Sequence, residues 1–441
     1  MKNWMVVHVA LVGCFIGSTY GQQTPVESYK KRVLETTEVN FLSSYYSQDG
    51  DNAAVTGGFG TEELTDFTST FVVAIPLTDD DVLTIDAGIS AYTSASSSNI
   101  DPFDSSNPAD PFVESTGSSR SDLWASVSGT YTHSSDDRND IWSATLSVAN
   151  EYDYFSIGGG GSYTKLFNEK NTEVSVNGHV YIDSWKAIYP IEFRQPGTPG
   201  SEDEGEGFDI NDFVVTGNLN FREAFSEFGS EGRNTYALGF GFSQILSKRL
   251  QVSLAVDLVA QDGLLSTPFH RIYFSDVEDT FIENFQLAND IERLPDTRFK
   301  VAVGGRLNYY INEMFVLRTF YRYYSDDWGI SAHTASVELP VKIGQKFTVY
   351  PSYRYYTQTA ADYFAPFEGH LSSSTFYTSD FDLSDYNANQ YGFGINYTDI
   401  FAKFHLWKWG LKSIDVKYNS YDRSNTLSSS IITTGFTFVM D

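Results

Sequence analysis

Cysteine occurs once in the 441 residues, at Cys14, which excludes a disulfide framework and a cysteine-ligated metal cluster. Beyond the N-terminus, no stretch approaches the roughly 18 consecutive apolar residues that a membrane helix needs. Cations are scarce: 29 Lys and Arg against 57 Asp and Glu leave a net charge of -28. A nucleic-acid face needs clustered Lys and Arg, so nucleic acid is excluded as a partner. Phosphate-loop chemistry is missing too. The four glycines Gly158 to Gly161 lack both the spacing and the following helix of such a loop. The acidic stretches Asp101–Asp110 and Glu202–Asp212 offer oxygen ligands of the kind Ca²⁺ takes, but without the Asp-x-Asp-x-Asp-Gly spacing and its distal Glu. No cofactor and no metal is therefore expected, and the acid excess reads as solvated loop surface.

What is present is aromatic and alternating. Aromatics make up 16% of the chain, and they fall at the ends of period-two runs. In the run from Glu313 to Tyr356, Phe315, Leu317, Tyr321 and Tyr323 take one face, with Val316, Arg318, Phe320, Arg322 and Tyr324 opposite. Ala335, Val337, Leu339 and Val341 oppose Thr334, Ser336 and Glu338, and after Gly344-Gln345 the alternation resumes through Tyr353 and Tyr355 against Arg354. Tyr236, Leu238, Phe240 and Phe242 oppose small residues in the cleanest such repeat. Strands this long, apolar on one face and polar on the other, predict an all-β antiparallel transmembrane β-barrel with lipid outside and a polar lumen. A soluble sheet with these faces would expose far more than a few hundred Å² of apolar surface.

The connections alternate in length. Thr78–Asp81, Asn168–Asn171, Ser247–Arg249, Ile311–Glu313 and Gly344–Gln345 are short. Gln48–Glu62, Ser94–Ser119, Trp185–Gly232, Asp262–Pro295 and Ala360–Ala388 are long. Short periplasmic turns and long extracellular loops are the rule for outer-membrane barrels, and about sixteen strands follow from the count. The first strand is expected over 34–46, and the last ones near 391–404, 411–421 and 427–440. Residues 1–21 read as a secretory signal peptide, 22–33 as a periplasmic lead and 34–441 as the barrel in the bacterial outer membrane. Leu11-Val12-Gly13-Cys14 also has the look of a lipobox, though the apolar run continues past the cysteine through Ile16.

Three segments carry a resemblance: Glu151-Tyr152-Asp153-Tyr154, the run Leu265 to Phe274 containing His270 and Arg271, and Tyr321 to Ile330 containing Asp326, Asp327 and Trp328. With Ala332-His333-Thr334 and Tyr353 to Tyr356, they resemble an uncharacterised family of Bacteroidota outer-membrane proteins, filed as domain of unknown function 3570. The resemblance implies a barrel of unestablished function, encoded beside a small envelope lipoprotein and a flavin transferase. It makes outer-membrane lipid and that lipoprotein the expected partners.

On the polar face, Arg306, Arg318, Arg322 and Arg354 lie on neighbouring strands, with Glu338 between two of them. Asp86, Asp183 and Asp257 point inward elsewhere. Two readings stand: a charge ladder that fills a closed lumen, or an electropositive stripe that selects anions. The functional expectation is a gated or partner-dependent conduit or an envelope scaffold, not an enzyme. The alternative is an outer-membrane enzyme with its site on the barrel wall, which needs a nucleophile, a base and an orienting group together. No serine spacing picks one out, and His333 falls on the apolar parity of its strand.

Overall fold

The computed structural model describes residues 31–93, 122–193, 214–218, 225–229, 232–282 and 285–440. The chain divides into Met1–Lys31 and Arg32–Asp441, and all that follows concerns the second unit. The signal peptide, Cys14 and the acidic stretches 101–110 and 202–212 lie outside the described residues.

Sixteen antiparallel strands form the wall. They are β1 (Glu38–Asp49), β2 (Leu64–Pro76), β3 (Asp81–Tyr92), β4 (Asp122–Ser134), β5 (Asp140–Asn150), β6 (Tyr154–Phe167), β7 (Thr172–Trp185) and β8 (Gly232–Ser247). Then come β9 (Leu250–Gly263), β10 (Thr297–Tyr310), β11 (Val316–Asp326), β12 (Ser331–Glu338 with Val341–Ile343) and β13 (Phe347–Gln358). β14 (Tyr386–Thr398), β15 (Trp409–Arg423) and β16 (Ser428–Met440) complete it. Each strand pairs with its chain neighbours, and β1 pairs with both β2 and β16, so the sheet closes without an edge. Strand β12 is interrupted at Leu339-Pro340, where Pro340 has no N–H to give the ladder. The register nevertheless runs on, from Glu338 opposite Ser352 to Val341 opposite Val349.

The outer face is the apolar one. Leu146, Val127 and Leu254 are more than half exposed in mid-wall. Phe67, Tyr236, Phe299 and Tyr355 stand out near the end with the long connections, and Trp142, Tyr163, Tyr309 and Phe347 near the opposite end. An apolar band between two aromatic girdles on a closed barrel is the architecture of a membrane-spanning barrel of the outer membrane. Two boundaries differ from expectation. The first strand starts at Glu38 rather than Leu34, and β14 runs over Tyr386–Thr398 rather than 391–404. The stretch after Thr398 turns instead, with Ala402 N–H bonded to the Asp399 carbonyl, while Asn387 and Ala388 are already in the wall.

Candidate functional site

The two ends of the barrel are built differently. At one, most connections are tight, such as Gly344–Lys346, where Gly344 has φ +71. At the other, long connections fold into a cap with its own apolar cores. One core joins Phe193, Tyr273, Ala288 and Ile291; another joins Trp185, Leu264 and Phe269; a third joins Leu265, Leu294 and Trp328. Small ladders stiffen the cap, with Arg271–Ile272 against Asp290–Ile291 and Val215–Gly217 against Thr280–Ile282. Single bridges tie Phe274 to His370 and Arg293 to Tyr377.

Buried charge pairs hold these loops together. Arg271 Nε and Nη2 donate to Glu192 Oε1 and Oε2 at 2.8 and 3.0 Å, and Nη1 donates to the Val55 carbonyl at 3.0 Å. Glu192 is fully buried. One guanidinium thus joins three loops that are far apart in the chain. Arg423, at the end of β15, binds Asp382, and Arg233, at the start of β8, binds Asp183 at 3.1 Å. Beside them, Glu292 accepts from Thr267 N–H at 2.7 Å and from Thr378 Oγ1 at 2.6 Å, while His270 Nδ1 lies 3.4 Å from Glu292 Oε2. Asp380 accepts from Asp382 N–H at 2.9 Å. Burial works to lower the His270 pKa, but the hydrogen bond and charge of Glu292 outweigh it and hold the imidazole above its ordinary range. Burial, then the charge of Asp382, pushes the Asp380 carboxyl up.

The other expected loop residues are tight-turn fittings. Asp326 accepts from Arg298 Nη2 at 2.6 Å and from the N–H groups of Trp328 and Ile330, while Asp327 accepts from Phe299 N–H at 2.9 Å. Trp328 donates to the Thr297 carbonyl and lies under Arg298, 4.2 Å from the ring centroid. Gly329 has φ +90, and a Cβ there would strike Asp362. At the other motif, Asp153 accepts from Trp185 Nε1 at 3.2 Å, while Tyr152 is exposed beside Lys186. His333 is exposed on the outer wall and bonds to Tyr321 Oη at 2.7 Å.

Inside the wall, the register puts Arg306, Arg318, Arg322, Glu338 and Arg354 on the lumen side of β10 to β13. Arg318 pairs with Glu338 at 2.9 Å, with Lys417 3.9 Å from the same carboxylate. Arg306 lies over the Phe320 ring, and Arg322 has Asp257 and Arg354 as its main charged neighbours. Among the described residues, Arg306 and Arg354 form no salt bridge. Across the lumen, the inward faces of β4 to β6 are mostly Ser, Thr and Gly, such as Ser128 opposite Ser147 and Thr145 opposite Gly160. A cationic wall thus faces a neutral one. Sequence reasoning missed Glu192, Glu292, Asp380, Asp382 and Arg423. They stand in non-periodic loops or at a strand end, and the partners of Glu192, Glu292, Asp382 and Arg423 lie far away in the chain.

A family model matches residues 9–427, nearly the whole chain. The chain belongs to the family described as "Protein of unknown function (DUF3570)". No curated protein matches it. Among solved structures it is similar to a bacterial polysaccharide outer membrane secretin, at 10% identity and TM-score 0.44, over 92% of this chain and 99% of that one. A BenF-like porin from Pseudomonas fluorescens Pf-5 follows at 8% identity and TM-score 0.40, over 92% and 98%. OccK2 (OpdF) of Pseudomonas aeruginosa gives 8% and 0.39, over 92% and 99%. Likenesses this distant carry nothing about cargo.

Proposed function

We propose that this member of the family is a conduit across the outer membrane, closed at its long-loop end by its own cap and selective for anions. One observation carries the reading. Arg318 points into the lumen near the tight-turn end, yet its side chain is 58% accessible, whereas Arg233 and Arg423, on the same inner face at the cap end, are 6% and 3% accessible. That gradient supports a lumen open at the tight-turn end and closed under the cap. Inward cations on β10 to β15 set the field an entering solute meets.

Passage rather than catalysis is the favoured activity, because the buried His270 and His370 bond to a carboxylate and to the Thr378 carbonyl rather than to a hydroxyl nucleophile. The resemblance adds a Bacteroidota source and a small lipoprotein partner to the proposal. A surface suited to that partner lies at the tight-turn end. The connection 399–408 holds Ile400, Phe401 and Trp407 more than 80% exposed, beside Lys403 and Lys408. The test is the reversal potential, in a planar bilayer under a salt gradient, of the purified barrel whose cap is unlatched by Glu192→Ala, which removes the buried partner of Arg271. Anion preference that Arg354→Glu weakens or reverses supports the reading. A cation-preferring pore indifferent to Arg354→Glu would refute it.

A further inference from the structure

We propose that His270, Glu292 and Asp380 form a site for one divalent transition ion of the zinc class within the cap. His270 and Glu292 come from the 264–296 connection and Asp380 from the 359–385 connection, and their ligand atoms all lie within 4.8 Å of one another. Imidazole nitrogen with carboxylate oxygens is a ligand set such ions take. The spacing points the same way. His270 Nδ1 and Glu292 Oε2 are 3.4 Å apart, too far for a good charge-assisted hydrogen bond, which runs about 2.7–2.9 Å. It matches the edge of a tetrahedron about an ion with bonds of roughly 2.0–2.1 Å, which is about 3.3–3.4 Å.

Charge balance is the second argument. Asp382 has Arg423 as its cationic partner, whereas Glu292 faces the imidazole of His270. Among the described residues no Lys or Arg pairs with Asp380, although Glu292 and Asp382 stand beside it. An imidazole that ligates an ion is neutral, so three carboxylates face one arginine, and a dication balances the two negative charges that remain. The ligands are also oriented from outside. Glu292 is held by Thr267 N–H and Thr378 Oγ1, and Asp380 by Asp382 N–H, while the Asp380 N–H in turn bonds to Thr378 Oγ1. Asp380 is only partly buried, which leaves a way in for the ion and a place for water as a further ligand. Bound there, the ion would clasp the 264–296 connection to the 359–385 connection.

The experiment uses the full-length barrel in detergent, stripped with EDTA and titrated with Zn²⁺. Bound zinc is read by elemental analysis after gel filtration, and affinity by competition with a chromophoric chelator. The expected result is about one Zn²⁺ per chain, with binding weakened at least about 100-fold by His270→Ala and by the near-isosteric Asp380→Asn. His405→Ala, an exposed histidine on the 399–408 connection, should leave binding unchanged. Slower migration on gels after boiling checks that each variant is folded. A wild-type barrel that binds no zinc overturns the proposal whatever the variants do. So does zinc binding that survives both substitutions, disappears equally with His405→Ala, or yields to equimolar Ca²⁺. Zinc retention is read without any conductance, so this proposal and the conduit reading fail separately.

Discussion

Removing the Glu192 carboxylate should open the cap and leave the wall standing. In Glu192→Ala, the Arg271 guanidinium stays in place with its two carboxylate hydrogen bonds gone and only the Val55 carbonyl left of those three contacts. Glu192 is fully buried and the Arg271 side chain is 14% accessible, so water does little to compensate. Breaking such a buried pair from one side costs roughly 3–5 kcal/mol. At about 1.4 kcal/mol per factor of ten, cap opening becomes some two to three and a half orders of magnitude more frequent. Hydrogen exchange in micelles should show it. Amides of 264–282 and 359–385 lose protection, while wall amides such as those of β9 and β10 keep theirs. The contrast is Arg318→Ala, which breaks a pair that is 58% accessible at the arginine and should cost under about 1 kcal/mol. Equal protection of the cap in wild type and Glu192→Ala would refute the pair's role. Loss of the wall together with the cap would refute the separation of the two.

Glu151, buried at the tip between β5 and β6 and beside the charge of Asp153, has its carboxyl raised from 4.5 to about 7, mainly by burial. Between those values the folded chain holds a proton that the unfolded chain has lost, so stability falls as pH rises from 4.5 to 7 and stays lower above it. At 1.36 kcal/mol per pH unit the loss is at most about 3 kcal/mol, and Glu151→Gln should remove it, matching wild type near pH 4 and exceeding it at pH 8 in urea unfolding followed by tryptophan emission. Parallel pH curves for the two proteins would contradict this. Epitope tags at Asp279 or Glu368 should be reachable on intact cells and a tag at Gly344 should not, since the first two lie in cap connections and the last in a tight turn. The reverse labelling pattern would invert the barrel in the membrane.

The wall was legible because its signal is local and repeated. Tyr236 to Ser243 shows its period over eight residues, and Arg233 to Ile245 keeps continuous partners in β9. Even Leu339-Pro340, where Pro340 has no N–H to give the ladder, does not break the alternation, so side-chain parity reads through it. The cap was not legible as a cap. Its pairs span wide gaps, 79 residues between Glu192 and Arg271 and 86 between Glu292 and Thr378, and no period links them. One hint was present. The 262–295 connection holds Leu264, Leu265, Ile272, Tyr273, Phe274 and Ile291, more apolar side chains than a solvated loop needs, and all six are buried. The family-motif residues gave the opposite lesson. Asp326, Asp327 and Trp328 stand out in sequence as carriers of the family resemblance, and their bonds run to nearby backbone N–H and carbonyl groups and to Arg298.

The proposed conduit is a membrane-spanning barrel whose lumen is shut at one end by its own loops. Planar-bilayer recording of wild type beside Glu192→Ala tests it most directly. Wild type should show near-zero conductance, and Glu192→Ala frequent, well-defined openings with the boiling-dependent gel shift intact. A wild-type barrel that is steadily open, with the same conductance as Glu192→Ala, would contradict it.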